Sequence, residues 1–467
     1  MNYCFLARPS LDKFSPLVYK EIKESYDKEA LGVFITTNAK ETATVKSLIP
    51  DAIVYETATF LKEHWSEFFL EKLIDYEARY DCSPIWKYIY SDRFLINRDY
   101  NYVVKVAVGL FMFFESIFNK HSIDIYYSET IATLQCYVAF LVGKKIGVKY
   151  YAQMGARGLD ATHHYVLDDP FQGILSLDQD YQNIKYSEDE IRKADEFLSN
   201  FESREIKPGY MLVNGQKPKL KLKYAILPVL RFLKRFDSNY SSQYSYMYYQ
   251  SYKNYTDPIK FYFQYQKCKK YYHQADYTRK FVYFPLHYQP EASTIVCALK
   301  YEKQLYFIDS WAKSLPADTV LYVKEHYAIL GHRDPQFYKE LKKYPNVVLI
   351  DPWESSRKLI QNSVAITTLT GTAGWEAMLL RKPVFIGGNI FFDNAPGVIK
   401  VIEVFDNYLN EITTWKQPTR NELLKYLCAY LKAIAPGCAY GTKNSTSDSN
   451  IRFITDSLMK HILSTSR

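Results

Sequence analysis

The chain has 467 residues, more than one hydrophobic core usually serves, so two domains are expected. Hydrophobic residues make up 48% and charged ones 24%, the balance of a globular chain, and seven scattered cysteines with no CxxC pair argue against a disulfide framework or a zinc site. The net charge of +8 suits an anionic ligand or an anionic membrane face, and no nucleic-acid-binding signature accompanies it.

The first stretch, MNYCFLARPSLDKF, lacks the charged-then-apolar order of a signal peptide, and a cytoplasmic protein is expected. LGVFITT (31–37) and AIVYET (52–57) read as strands, a helical pattern covers 59–78, and a longer helix is predicted over 102–120. Its most apolar window, VVKVAVGLFMFFESIF, carries Lys105 and Glu115 and reads as buried rather than membrane-spanning. IDIYYSE then gives a strand, ATLQCYVAFLVGKKIG a helix, and VKYYAQ the last strand of a parallel α/β domain over residues 1–185.

Residues 186–278 break this rhythm and read as a helical, basic and tyrosine-rich insertion or linker. Within KPKLKLKYAILPVLRFLKRF (217–236), Lys217, Lys219, Lys221, Lys223, Arg231, Lys234 and Arg235 surround an apolar segment. Such an element fits peripheral contact with an anionic membrane surface, or equally a helix packed on its domain with a solvated basic edge. Pro228 argues against one straight helix. The chain has 44 tyrosines. Their flat apolar faces with hydroxyls suit sugar stacking, interfaces or membrane edges as well as plain packing. The dense stretch NYSSQYSYMYYQSYKNY is expected to extend the membrane contact.

From FVYFPLH (281–287) the alternation resumes. A helix over 298–315, strand TVLYVKEH, a helix over 335–343 and strand NVVLIDP are followed by helix ESSRKLIQNS and strand VAITTL. A turn, another helix and strand PVFIGG complete a second doubly wound domain over 279–415. C-terminal helices over 418–434 and 449–464, within a segment 416–467, flank a polar loop, GTKNSTSDSN, that reads as mobile. Two such domains imply a cleft, with ligands at the carboxyl ends of strands.

Four motifs fall at such ends. In TGTAGWEA, Thr370, Gly371 and Thr372 leave a strand and open a helix, where free amides and the helix dipole favour a phosphate. Gly371 permits a tight turn and close approach, and Glu376, one turn on, is placed for a ribose diol. The same stretch also reads as an N-capped helix with Trp375 packed inside. In YVKEHYAILGHRD, Lys324, Glu325 and His326 crowd a strand end, with Lys324 and His326 on one face; ordinary solvation of a strand end gives the same pattern. In FPLHYQPEAST, His287, Gln289 and Glu291 follow a strand, and Ser293–Thr294 read as the next N-cap. His287 suits a catalytic part or a hydrogen-bonded structural one. QMGARGLDATHHYVLDDPFQG leaves the last strand of the first domain with Arg157, Asp160, His163 and His164, the densest acid–base supply in the chain. A carboxylate there suits a general base or a nucleophile toward a sugar carbon. Asp168–Asp169 before Pro170 reads as a turn. No motif requires a metal or a cofactor.

FPLHYQPEAST, YVKEH, PNVVLIDP and TLTGTAGWEAMLLRKPVFIGG, in this order over residues 280–390, resemble the bacterial capsule polysaccharide biosynthesis proteins, which include Kdo transferases of GT-B architecture. The resemblance implies two Rossmann-like domains, an acceptor in the first and a nucleotide-sugar donor such as CMP-Kdo in the second. Lys324, Glu325, His326, Thr370, Gly371, Thr372, Glu376 and Gln289 would hold the donor, with Tyr327 standing where the family usually has proline. A carboxylate of the first domain would do the sugar chemistry, and Asp160 takes that part, with Arg157, His163 and His287 around it. The implied function is transfer of a sugar to a glycan or lipid-linked acceptor of surface polysaccharide, at the inner face of the cytoplasmic membrane. A UDP-sugar 2-epimerase-like isomerase, a CDP-donor polymer-phosphate transferase and a non-catalytic scaffold are the competing readings.

Overall fold

The structure, a computed structural model, describes residues 1–159, 162–183, 185–203, 218–221, 226–249, 258–401, 408–442 and 444–464. Its strands are β1 (Asn2–Leu6), β2 (Leu31–Thr36), β3 (Ile53–Glu56), β4 (Ile125–Tyr127), β5 (Lys149–Gly155), β6 (His163–Leu167), β7 (Lys280–Pro285), β8 (Thr319–Lys324), β9 (Val347–Ile350), β10 (Ala365–Thr368), β11 (Val384–Ile386), β12 (Val398–Lys400) and β13 (Ala435–Pro436). They form two sheets in two units. One unit comprises Met1–Leu175, Ile226–Tyr255 and Ile434–Arg467, the other Ser176–Ala225 and Thr256–Ala433.

In the first unit the sheet order is β13-β6-β5-β4-β1-β2-β3, with β1 to β5 parallel. This is Rossmann-like: successive strands run outward from β1 on one side, and the chain then restarts at β4 on the other. VKYYAQ, expected as the last strand of this domain, is followed by another: β5 and β6 form a hairpin, antiparallel from Ala152↔Leu167 to Gly155↔His164. β13, arriving from far along the chain, adds antiparallel to β6.

The helix Tyr100–Lys120 is long and apolar enough, by length and composition, to cross a membrane, yet most of its side chains are buried in this unit. Gly109 lies beneath Leu61 and Phe68, where a Cβ would come within 2.3 Å of Leu61 Cδ2. The 59–78 pattern is broken around Phe68. It forms helix Thr57–His64, a 3-10 turn Trp65–Glu67 and helix Leu70–Arg79, with Phe68 extended between them.

The tyrosine-rich stretch differs from expectation as well. Tyr244 packs edge-on against Trp65, Tyr249 lies against Tyr102, and the buried Tyr246 hydroxyl accepts the Gln135 amide at 3.1 Å. These rings are packing and hydrogen-bonding parts of the first unit, not a surface layer; residues 250–257 lie outside the described residues. At the end of the GTKNSTSDSN stretch, of which Lys443 lies outside the described residues, the Asn450 side chain bonds Cys438 N, Cys438 O and Ser445 O.

In the second unit all strands are parallel, in the order β12-β11-β10-β7-β8-β9. This is again Rossmann-like, and the order reverses between β7 and β10. Trp311, Phe307, Phe284 and Phe385 fill its core. Two Rossmann-like units in tandem make the chain GT-B-like in class. The helix expected over 298–315 is a 3-10 turn Leu299–Tyr301 followed by Gln304–Ser314. Ser293 and Thr294 lie inside a short helix, Ala292–Ile295, with Glu291 rather than themselves at its N-cap.

Gly331 has φ +82°, and a Cβ there would lie 2.0 Å from the carbonyl oxygen of Phe261. Backbone is hard to displace, so Gly331→Ala is expected to destabilise the second unit by about 2–4 kcal/mol, read as a lowered urea midpoint.

Candidate functional site

The carboxyl edge of the second sheet gathers most of the sequence-predicted residues. β10 ends at Thr368, and the helix Thr372–Leu379 begins with Gly371 at its N-cap. The Thr370 amide donates to His287 Nε2 (3.2 Å) and the Gly371 amide to Thr368 Oγ1 (3.0 Å). The Thr370 hydroxyl donates to the Ser293 carbonyl at 2.8 Å. Thr372 and Ala373 amides have no acceptor among the described residues. At this helix start the Thr370 and Gly371 amides are therefore satisfied by the protein's own side chains and the Thr372 and Ala373 amides are not.

Gly371 is not needed for its backbone angles, which are φ −75° and ψ 155°. Space is the constraint: a Cβ would stand 2.7 Å from Thr368 Oγ1 and 3.2 Å from His287 Nε2. The close approach foreseen at this glycine is thus made by neighbouring side chains. Trp375 is buried against Phe391 and Tyr430, as the packed-helix reading anticipates.

His287 is buried just beyond β7. Its Nε2 also lies 3.3 Å from Thr368 Oγ1. Because Nε2 accepts an amide, the neutral ring carries its proton on Nδ1, which is buried with no acceptor among the described residues. Burial, reinforced by the charges of His326 and Arg333, lowers its pKa to about 3. Gln304, which the sequence reading passed over, holds the His287 backbone at both groups: Oε1 accepts its N–H (2.8 Å) and Nε2 donates to its carbonyl (3.3 Å). Gln289 is tied in turn, its Oε1 accepting from Gln304 and its Nε2 donating to the Glu302 carbonyl.

β8 ends at Lys324, whose ammonium is buried and donates to the Glu354 carbonyl and Ser356 Oγ, both at 2.7 Å. Burial lowers its pKa to about 8, against the opposing pull of Glu376, Glu354 and Asp351. Glu376 is half-buried, one turn into the Thr372–Leu379 helix. Glu325 is fully occupied: Arg333 Nε donates to Oε2 (2.9 Å), Tyr338 OH to Oε2 (2.7 Å) and the His326 amide to Oε1 (2.7 Å). Arg333 Nη2 reaches the His287 carbonyl at 3.1 Å. His326 is half-buried, and its Nδ1 accepts the Ala328 amide at 3.3 Å, capping a 3-10 turn.

The remaining candidates lie in the first unit. Asp160 falls outside the described residues. Arg157 sits on the turn of the β5–β6 hairpin, and His163 opens β6 with Nδ1 2.9 Å from Thr162 Oγ1. His164 is fully buried, which lowers its pKa to about 4. Asp169 accepts the amides of Phe171 and Gly173, the turn expected of it. Among the described residues no group of three or more His, Cys, Asp or Glu is placed to hold a metal ion.

His287 has a folded pKa of about 3 against an ordinary 6.5, so the unfolded chain takes up the proton first as pH falls. The associated stability is intact above 6.5 and is lost progressively toward 3. His287→Gln keeps an acceptor for Thr370 without titrating. Between pH 6.5 and about 5 its urea stability is expected to fall less steeply than the parent's, by up to ~1.4 kcal/mol per pH unit. Arg333→Met leaves the buried Glu325 carboxylate without its cation, with only the Tyr338 and His326 donors, and is expected to cost about 3–5 kcal/mol in the same measurement.

Residues 222–429 match the family described as capsule polysaccharide biosynthesis protein. No curated protein matches the chain. Among solved structures it is similar to Thermosulfurimonas dismutans KpsC, beta Kdo 2,7 transferase, with 12% identity, TM-score 0.39, and coverage of 74% of this chain and 88% of that one. For the beta Kdo 2,4 transferase of the same KpsC the values are 14%, 0.39, 72% and 87%. For UDP-GlcNAc 2-epimerase from Neisseria meningitidis they are 12%, 0.27, 98% and 100%. These scores are too low to carry an argument about activity. The family match spans the strands and turns that build the carboxyl edge just described, and residues 222–429 are similar to the capsule polysaccharide biosynthesis protein family.

Proposed function

We propose that the protein is a glycosyltransferase that moves a sugar from a nucleotide donor, CMP-Kdo in this reading, to a glycan or lipid-linked acceptor of surface polysaccharide. The observation that carries the proposal is the pair of unpaired amides, Thr372 and Ala373, at a helix start beside the point of strand-order reversal, within a stretch of the capsule family. Ligands of open α/β sheets bind at such reversals, and helix starts favour phosphate. In this reading the two amides and the Thr372 hydroxyl hold the donor phosphate. The nearby Lys324 ammonium supplies fixed positive charge, His326 borders the phosphate, and Glu376 accepts from the ribose hydroxyls. Phosphate leaving is then eased by preorganised donors rather than by reorganising water. The first unit takes the acceptor, and Asp160 provides the carboxylate, with Arg157 and His163 near it in sequence.

Thr372→Pro tests the amide directly. Gly371 already has the extended backbone that a following proline requires, and proline is well accepted at the first helical position. The variant removes the Thr372 N–H while Thr372→Ala removes only the hydroxyl. In a thermal-shift screen of CMP, UDP and GDP, CMP is expected to raise the parent's melting temperature. Thr372→Pro is expected to weaken CMP binding by roughly 10–100-fold with its unliganded melting temperature retained. Absence of any nucleotide shift, or parental affinity in the proline variant, overturns the donor site. Conversion of UDP-GlcNAc to its 2-epimer without an acceptor overturns the transferase reading.

A further inference from the structure

The basic segment read in the sequence over 217–236 is described at 218–221 and 226–236, and its helix spans Leu227–Lys234 with Pro228 in the first turn, where proline starts a helix rather than breaking it. Ile226, Val229, Leu230 and Leu233 recur at i, i+3, i+4 and i+7, so they share one face, and Phe232 and Phe236 widen it. Every one of these six side chains is exposed, from 48% at Leu230 to 70% at Phe236. Leu227 and Lys234, to one side of that face, are half-buried, with the Lys234 ammonium over the ring of Tyr240 at 4.5 Å. The helix therefore presents an apolar face to solvent, where an ordinary surface helix presents a polar one. A contiguous apolar face of this kind marks a binding surface.

Charge selects the occupant. Residues 217–236 hold seven Lys or Arg and no Asp or Glu. The Arg235 guanidinium lies against Phe232 and Phe236, at 5.0 and 5.4 Å from their ring centres, beside the exposed rings. Lys219 and Lys221 are exposed on either side of an exposed Leu220. A two-fold contact between copies would set this cationic segment against itself. An anionic lipid surface satisfies both properties, with acyl chains for the apolar face and headgroups for the flanking cations. We infer that the helix Leu227–Lys234 and Phe236 form a docking element that lies in the interface of an anionic membrane, apolar face inward. Tyr240 and the tyrosines that follow are not part of that surface; they fasten the element to the first unit.

The test uses the full chain without nucleotide, so its outcome is independent of the donor-site reading. Co-flotation is measured with phosphatidylcholine vesicles and with vesicles containing about one third phosphatidylglycerol. Binding is expected to the anionic vesicles at low salt and is expected to weaken sharply at about 0.5 M salt. Phe232→Ser/Phe236→Ser is expected to lower partitioning at least about tenfold, with an unchanged melting temperature because both rings are exposed. Phe236→Trp is expected to show quenching by acyl-brominated lipid beyond that of the parent. No binding to anionic vesicles at low salt, or parental binding by the double serine variant, overturns the inference. So does self-association in sedimentation velocity that the serine variant abolishes, since the face would then join two copies.

Discussion

A neutral, buried imidazole holds the second unit together at its weakest seam. β7 and β10 are neighbours at the reversal of strand order, and their ladder is short: Ala365↔Val282 and Ile366↔Tyr283. β7 and β8, by contrast, pair over six residues. Beyond the short ladder the amides of Thr370 and Gly371 need acceptors, because buried N–H groups without partners are costly. His287 Nε2 and Thr368 Oγ1 supply them. This works only while Nε2 keeps its lone pair, and burial among the charges of His326 and Arg333 keeps the ring unprotonated far below neutrality.

The same logic runs along the rest of that edge. Gln304 grips both backbone groups of His287, Arg333 joins Glu325 of the β8 end to the His287 carbonyl, and Lys324 joins β8 to the start of the Ser356–Asn362 helix. Side chains thus continue the sheet after its ladders end. The result is a fixed polar floor whose donors are mostly paired; the His287 Nδ1–H and the Thr372 and Ala373 amides have no acceptor among the described residues. Groups held this rigidly need little reorganisation to face a charge, the general condition for electrostatic preorganisation.

Strand and helix alternation was legible because apolar runs bounded by turn residues carry their own period, and the motifs TGTAGWEA and YVKEH fell at strand ends where the fold puts them. Three things were hidden for physical reasons. Gln304, Arg333 and Ser356 act through contacts made only when distant segments meet, so no local spacing announces them; Arg333 lay inside the quoted YVKEHYAILGHRD without being singled out. The β5–β6 hairpin was masked by polar residues, because His163 begins a strand that pairs only with β5 and a two-residue strand from far along the chain. The tyrosine-rich stretch was ambiguous in principle. A ring with a hydroxyl serves a membrane edge or a core equally well, and only the Tyr246–Gln135 bond and the rings around Trp65 and Tyr102 decide between them.

Comparison of the two sheets, each within its own unit, shows that a reversal of strand order alone does not leave helix-start amides without acceptors. At the reversal between β1 and β4 in the first unit, the Arg8 guanidinium is paired bidentately with the buried Glu129 carboxylate. A helix also starts after β2, at Ala39, but its first amides are closed by the chain itself. Asn38 Oδ1 accepts from Lys40 and Glu41, while Glu41 reaches back to the Thr37 amide and hydroxyl. Tyr248 adds a further donor to the Glu41 carboxylate. This is a self-satisfied helix start with its own buried acid, and an incoming phosphate would meet like charge and no spare donor. At Thr372 the corresponding cap is a glycine with no side chain to offer. What separates the two helix starts is therefore whether the cap residue brings its own acceptor, and the glycine of the second unit brings none to the Thr372 and Ala373 amides.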